Sequence, residues 1–155
     1  MSLNVSFGVK KIIKSGLAGI ALWALAASAW PQPPTEADMS IHIKGFADDR
    51  GQVIANLFEN GHDVMGKPDR RVVGTIEQGQ AILVFPHMPF GNYAISVFHD
   101  ENSNNDLDHN FLHFPAEPLG FSNGFELSLF SGMPSFEKLH FVFSADTKPL
   151  EITVK

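Results

Sequence analysis

The chain has 155 residues, no cysteine, and 17 acidic against 11 basic side chains, for a formal net charge of −6. Without cysteine there is neither a disulfide framework nor an acylated cysteine anchor, so the chain must be held by its apolar core. The acidic balance excludes nucleic acid as a natural partner, because phosphate binding needs a basic patch.

The first segment carries Lys10, Lys11 and Lys14 and no acid. An apolar run follows from Gly16 to Ala27 and ends in Ala27-Ser28-Ala29. A positive start, a short apolar stretch and a small-x-small site are the parts of a secretory signal, so residues 1–29 read as a signal peptide cleaved after Ala29. The run is shorter than the roughly 20 residues a spanning helix needs. The expectation is a protein exported to the periplasm or the medium, with no stable membrane span after cleavage. Loss of the three lysines takes the formal charge from −6 to −9. Residues 30–38, with Pro31, Pro33 and Pro34, read as a proline-rich linker. Residues 39–155 read as one domain, large enough to bury on the order of two-thirds of its unfolded surface.

Short runs of period two fill that domain. Ile41 and Ile43 alternate with His42 and Lys44, and Val53, Ala55 and Leu57 share a face. Val72 to Ile76 is followed by the turn Glu77-Gln-Gly-Gln80 and the apolar run Ala81 to Phe85. Tyr93, Ile95 and Val97 alternate next. Phe125, Leu127 and Leu129, then Leu139, Phe141 and Phe143, then Leu150, Ile152 and Val154 repeat the spacing. This pattern predicts an all-β fold, a single antiparallel β-sandwich of about seven or eight strands. The fourteen phenylalanines suit two facing sheets that need bulky inward side chains.

The stretch from Val72 to Glu137 contains no lysine or arginine and holds the segment His99-Asp-Glu-Asn-Ser-Asn-Asn-Asp-Leu-Asp-His-Asn110. Oxygen-bearing side chains fall at Asp100, Asn102, Asn104, Asp106 and Asp108, at alternate positions. Hard cations such as Ca²⁺ take six to eight oxygens, and a tight loop with this spacing can wrap them around one ion. Asn105 stands where such loops usually carry glycine, and asparagine also tolerates a left-handed turn. The twelfth position is Phe111 rather than a bidentate glutamate, so Glu117 is the candidate that completes the shell. The alternative is an Asx-rich loop whose side chains cap its own backbone. His99, His109 and His113 crowd the same region, which makes Zn²⁺ or Cu²⁺ a second metal possibility. Gly120-Phe-Ser-Asn-Gly124 fits the Gly-x-Ser-x-Gly hydrolase elbow, but that motif needs a strand–turn–helix, and Phe125 to Phe130 reads as a strand.

The segment His99 to Asp108, with Phe111-Leu112, Pro115-Ala-Glu117 and Gly120-Phe-Ser-Asn123, resembles domain of unknown function family 2141, a group of small exported proteins. That family's pattern is His-Asp-x-Asn-x-Asn-Gly-x-x-Asp, then Phe-x-Gly-x-Pro-x-Glu-Gly-x-Gly-Phe-Ser-Asn. Pro89-Phe-Gly-Asn-Tyr93 resembles the Pro-x-Gly-x-Tyr strand start of the same family, which transthyretin-like and carboxypeptidase-regulatory-like sandwiches share. The chain departs at Asn105, at His113 and at Pro118-Leu119. The resemblance implies an exported β-sandwich and no enzymatic activity.

The expected function is therefore a non-enzymatic exported β-sandwich. Its acidic loop binds a divalent cation, calcium in character, through Asp100, Asn102, Asn104, Asp106, Asp108 and Glu117. Its role is structural or interactive, with an envelope protein or a glycan as partner. A metal-free protein- or glycan-binding module is the alternative, followed by transition-metal binding through the histidines and, last, a serine hydrolase built on Ser122.

Overall fold

The structure is a computed structural model that describes residues 32–155 apart from His113 and Leu129. The signal peptide read at 1–29 and the start of the linker lie outside the described residues. Residues Pro33–Lys155 form one compact unit. Within it no helix is long and apolar enough to cross a membrane.

Eight strands form among the described residues: β1 (Glu36–Lys44), β2 (Gln52–Glu59), β3 (Arg70–Gly74), β4 (Gln80–Pro89), β5 (Gly91–Asp100), β6 (Leu119–Phe121), β7 (Phe141–Phe143) and β8 (Leu150–Thr153). β1 starts inside the segment read as linker, because Glu36 and Ala37 already pair with Pro89 and Met88. One sheet has the order β4-β1-β8 and the other β3-β2-β5, with β6 and β7 both on the far side of β5. Every pairing is antiparallel except β1 with β8, which run parallel.

The alternation in β1 and β4 places Met39, Ile41 and Ile43 beside Ala81, Leu83 and Phe85 in the core between the sheets. From the other sheet Val53, Ala55, Leu57, Tyr93, Ile95 and Val97 meet them. Each such large side chain, once buried, contributes about 1.5–3 kcal/mol. β5 shows no polar alternation because its second face is covered too. Ala94 packs there with Phe58, Val64, Phe121 and Leu139 in a smaller cluster.

That second cluster explains two departures from period-two reading. Phe125 to Leu129 was expected as a strand, yet its described residues form none. The free edge of β5 is already shared by β6 at Ser96–Phe98 and β7 at Gly91–Tyr93, so the segment finds no ladder there. Phe125 instead packs edge-on against Phe121, with ring centroids 5.4 Å apart. Leu139 likewise belongs to a one-turn helix, α1 (Phe136–Leu139), which turns its side chain into this cluster before β7 begins.

Two glycines allow backbones to meet. A Cβ on Gly120 would lie 2.7 Å from both the Ile152 side chain and the Thr153 carbonyl, so β6 could not approach β8. Gly51 has a left-handed φ of 70°, and a Cβ there would collide with the Asp100 carbonyl. It lets the chain pass directly beneath the acidic loop.

Candidate functional site

The β2–β5 register sets Gln52 opposite Asp100, the last residue of β5. Asp100 is fully buried, and its carboxylate is surrounded by donors. Gln52 Nε2 donates to Oδ2 at 2.7 Å, the Asn105 amide to Oδ2 at 2.8 Å, and the Asn104 amide to Oδ1 at 3.1 Å. Burial pushes this carboxyl upward, but the hydrogen bonds from Gln52, Asn105, Asn104 and Ser103 outweigh it and hold Asp100 below the usual carboxylate value.

Beyond Asp100 the loop is a series of Asx turns. Asn102 Oδ1 accepts from the Asn104 amide at 2.9 Å, and Asn104 Oδ1 accepts from the Asp106 amide at 2.8 Å. Ser103 and Asn105 take left-handed φ values of 59° and 67°. Asparagine therefore supplies the sharp turn that glycine makes at this position of a calcium loop. The amide groups of Asn102 and Asn104 both donate to Asp108, at 2.6 and 3.1 Å. Glu117 is also buried and ties the loop from behind, accepting the Glu101 and Asp108 amides at 3.0 and 3.1 Å.

Five of the six expected ligand residues thus share one hydrogen-bonded knot: Asp100, Asn102, Asn104, Asp108 and Glu117. Asp106 joins through its main chain while its side chain is exposed. Among the described residues no three His, Asp or Glu side chains gather closely enough to hold a metal by themselves. A cation here would have to draw on asparagine oxygens and main-chain carbonyls as well.

Two contributors were not legible in the motif. Gln52 bonds Asp100 and also reaches Asn105 Oδ1 at 3.0 Å. Arg71 crosses from β3, donating from Nη1 to the Asn105 carbonyl at 2.9 Å and from Nε to Asn56 Oδ1 at 2.8 Å. It brings a cation to a stretch that has none of its own. Both depend on strand pairing that no local spacing announces.

His99 and His109 lie in different surroundings. His99 is buried on the inward face, where Nε2 donates to the Arg50 carbonyl at 2.8 Å and the ring meets Phe46 edge-on at 5.2 Å. His109 is exposed and pairs through its backbone with Pro115. His113 lies outside the described residues. Ser122 is buried too, in a 3₁₀ turn (Ser122–Gly124) rather than a strand–helix elbow. Its Oγ accepts the Ile95 amide at 2.9 Å and donates to the Leu139 carbonyl at 2.6 Å, which pins the covering segment to β5.

Residues 108–112 and 114–116 leave the knot as the two arms of a small hairpin. The Asn110 amide bonds the Phe114 carbonyl at 2.9 Å and the Ala116 amide bonds the Asp108 carbonyl at 2.8 Å. Asn110 Oδ1 accepts the Leu112 and Phe114 amides at 2.9 and 3.2 Å. The tip carries Phe111, Leu112 and Phe114, with 89%, 59% and 54% of their surfaces exposed.

The family model described as "Uncharacterized protein conserved in bacteria (DUF2141)" matches residues 41–151, a span that runs from within β1 into β8 and contains the whole loop. No curated protein matches the chain, and no solved structure does.

Proposed function

The chain belongs to the DUF2141 family of uncharacterized bacterial proteins, and from the chemistry of its loop we propose that it is an exported, non-enzymatic β-sandwich that holds a divalent cation. The ion is calcium in character, and it stiffens residues 100–117 for a structural or interaction role in the cell envelope. The observation that supports this is the folding of Asp100, Asn102, Asn104 and Asp108 around the left-handed Asn105. A hard cation takes oxygens of this kind, and binding one would require the Asn102 and Asn104 side chains to turn their oxygens toward Asp100 and Asp108. Asp100 and Asp108 would supply charge, Asn102 and Asn104 amide oxygens, and Glu117 support from behind. With so few carboxylates free, the affinity belongs to the range of about 10⁻⁴–10⁻³ M that serves extracellular modules.

Thermal unfolding of the full chain in EDTA and in about 10 mM calcium tests this reading. Calcium should stabilise by roughly 1.4–2.7 kcal/mol at such affinities. The pair Asp100→Ala and Asp108→Ala should abolish the shift, and magnesium or zinc should not reproduce it. An identical melting temperature in calcium and EDTA would sink the reading.

A second reading is favoured by one observation. The carboxylates of Asp100, Asp108 and Glu117 already accept N–H donors on both oxygens. A loop satisfied in this way can serve as a metal-free platform for a protein or glycan partner. The absence of any calcium shift, with the loop still protected from hydrogen exchange, would favour it.

A further inference from the structure

The hairpin is hydrogen-bonded on both sides of its tip. Four backbone amides of residues 110–116 are satisfied within the hairpin, two of them by the Asn110 side chain. The effect of this order is to hold Phe111, Leu112 and Phe114 in water. Three large apolar side chains held out on one hairpin form a patch of the size that often serves binding.

Size and charge select among the surfaces. From the exposed fractions of the three side chains, the tip offers on the order of 400 Å². A stable protein interface needs about 800 Å² on each partner, so the tip alone is too small to carry one. A lipid surface sets no such requirement, because acyl chains close around a wedge of any shape. The surroundings are acidic on balance: Asp100, Glu101, Asp106, Asp108 and Glu117 gather here against Arg71, which reaches in from β3, and no lysine or arginine lies between Val72 and Glu137. Anionic headgroups would repel that rim, whereas a zwitterionic surface carries no such field. We propose that Phe111, Leu112 and Phe114 form a wedge that seats in the interfacial layer of a zwitterionic bilayer. The wedge needs no cation in the loop, and it is tested without one.

The chain has no cysteine, so one introduced thiol carries a unique label. An environment-sensitive dye on Leu112→Cys should brighten and shift to the blue with phosphatidylcholine vesicles in EDTA. The same dye on Lys67→Cys, at the opposite end of β2, should not respond. Replacing a third of the lipid with phosphatidylglycerol at low salt should weaken the signal. With the dye kept at Leu112→Cys, adding Phe111→Ser and Phe114→Ser should raise the lipid concentration needed for half the response about tenfold. That variant should melt with its parent, since the two rings are mostly exposed. The dye isolates the tip from the apolar run at residues 16–27, which can bind vesicles by itself. A dye at 112 that stays as wet as the dye at 67 with every vesicle would overturn the proposal. So would a serine variant whose dye responds at the same lipid concentration.

Discussion

Asp100→Ala removes the acceptor at the centre of the loop. Gln52 Nε2 and the amides of Asn104 and Asn105 all lose their partner. A hydrogen bond to a charged group contributes about 1.5–3 kcal/mol net, and a buried donor left unsatisfied costs about 1–3 kcal/mol. The Asn104 and Asn105 side of the loop is open to water while Gln52 is only partly exposed, so water recovers a share of the loss. The expected cost is about 2–4 kcal/mol, which for a domain of this size lowers the melting temperature by roughly 6–20 °C. Asp100→Asn keeps the shape but presents one donor face, so about half the loss should remain. Circular dichroism melts in EDTA at a series of pH values provide the assay. The folded carboxyl is held below its ordinary value of 3.8, so the unfolded state binds the proton more readily. The stabilisation is therefore complete above that value and fades as pH falls through the lower, folded value. The gap between wild type and Asp100→Asn should be flat from pH 7 to pH 5 and close only in stronger acid. A gap below about 3 °C at pH 7, or one that shrinks between pH 7 and pH 5, would refute the reasoning.

Ser122→Ala should destabilise by about 1–3 kcal/mol, since the buried Ile95 amide loses its acceptor; chemical denaturation with an unchanged slope would show it. The same variant, assayed with activated esters, should leave any background hydrolysis untouched, and an abolished activity would overturn the non-enzymatic reading. Gly120→Ala must displace the Thr153 carbonyl or the Ile152 side chain, so it should cost about 1–3 kcal/mol. Loss of amide protection at Leu119 and Lys155, which bond each other's carbonyls, would locate the damage.

The sandwich was legible in the sequence where one face of a strand is buried and the other is wet. β1 and β4 alternate cleanly, and Ile41, Ile43, Leu83 and Phe85 could be assigned inward directly. The reading failed where a second apolar layer covers the sheet. Phe125 and Leu139 have the spacing of strand residues but answer to Phe121 and Ala94, and no window of sequence shows that the edge of β5 is already taken. The loop was legible as a set of oxygens, and the structure gathers five of the six expected residues. Gln52 and Arg71, which fix its shape, reach it from 53 and 34 residues away in sequence. The Gly-x-Ser-x-Gly match misled because a pattern of letters does not distinguish an exposed nucleophile from a buried hydroxyl that ties two segments together.

The parallel pairing of β1 with β8 has a consequence for how the chain is made. β1 is the middle strand of its sheet, yet one of its neighbours is β8, the last of the described strands, with Ile41 beside Leu150. Lys155 then bonds across to Leu119 in the opposite sheet. A growing chain therefore holds Ile41 and Ile43 with one flank open until more than a hundred further residues have emerged. Closure of so long a loop is slow and favours folding over milliseconds to seconds. During synthesis the sheet therefore stays unfinished, and the seam between β1 and β8 is sealed as a late event.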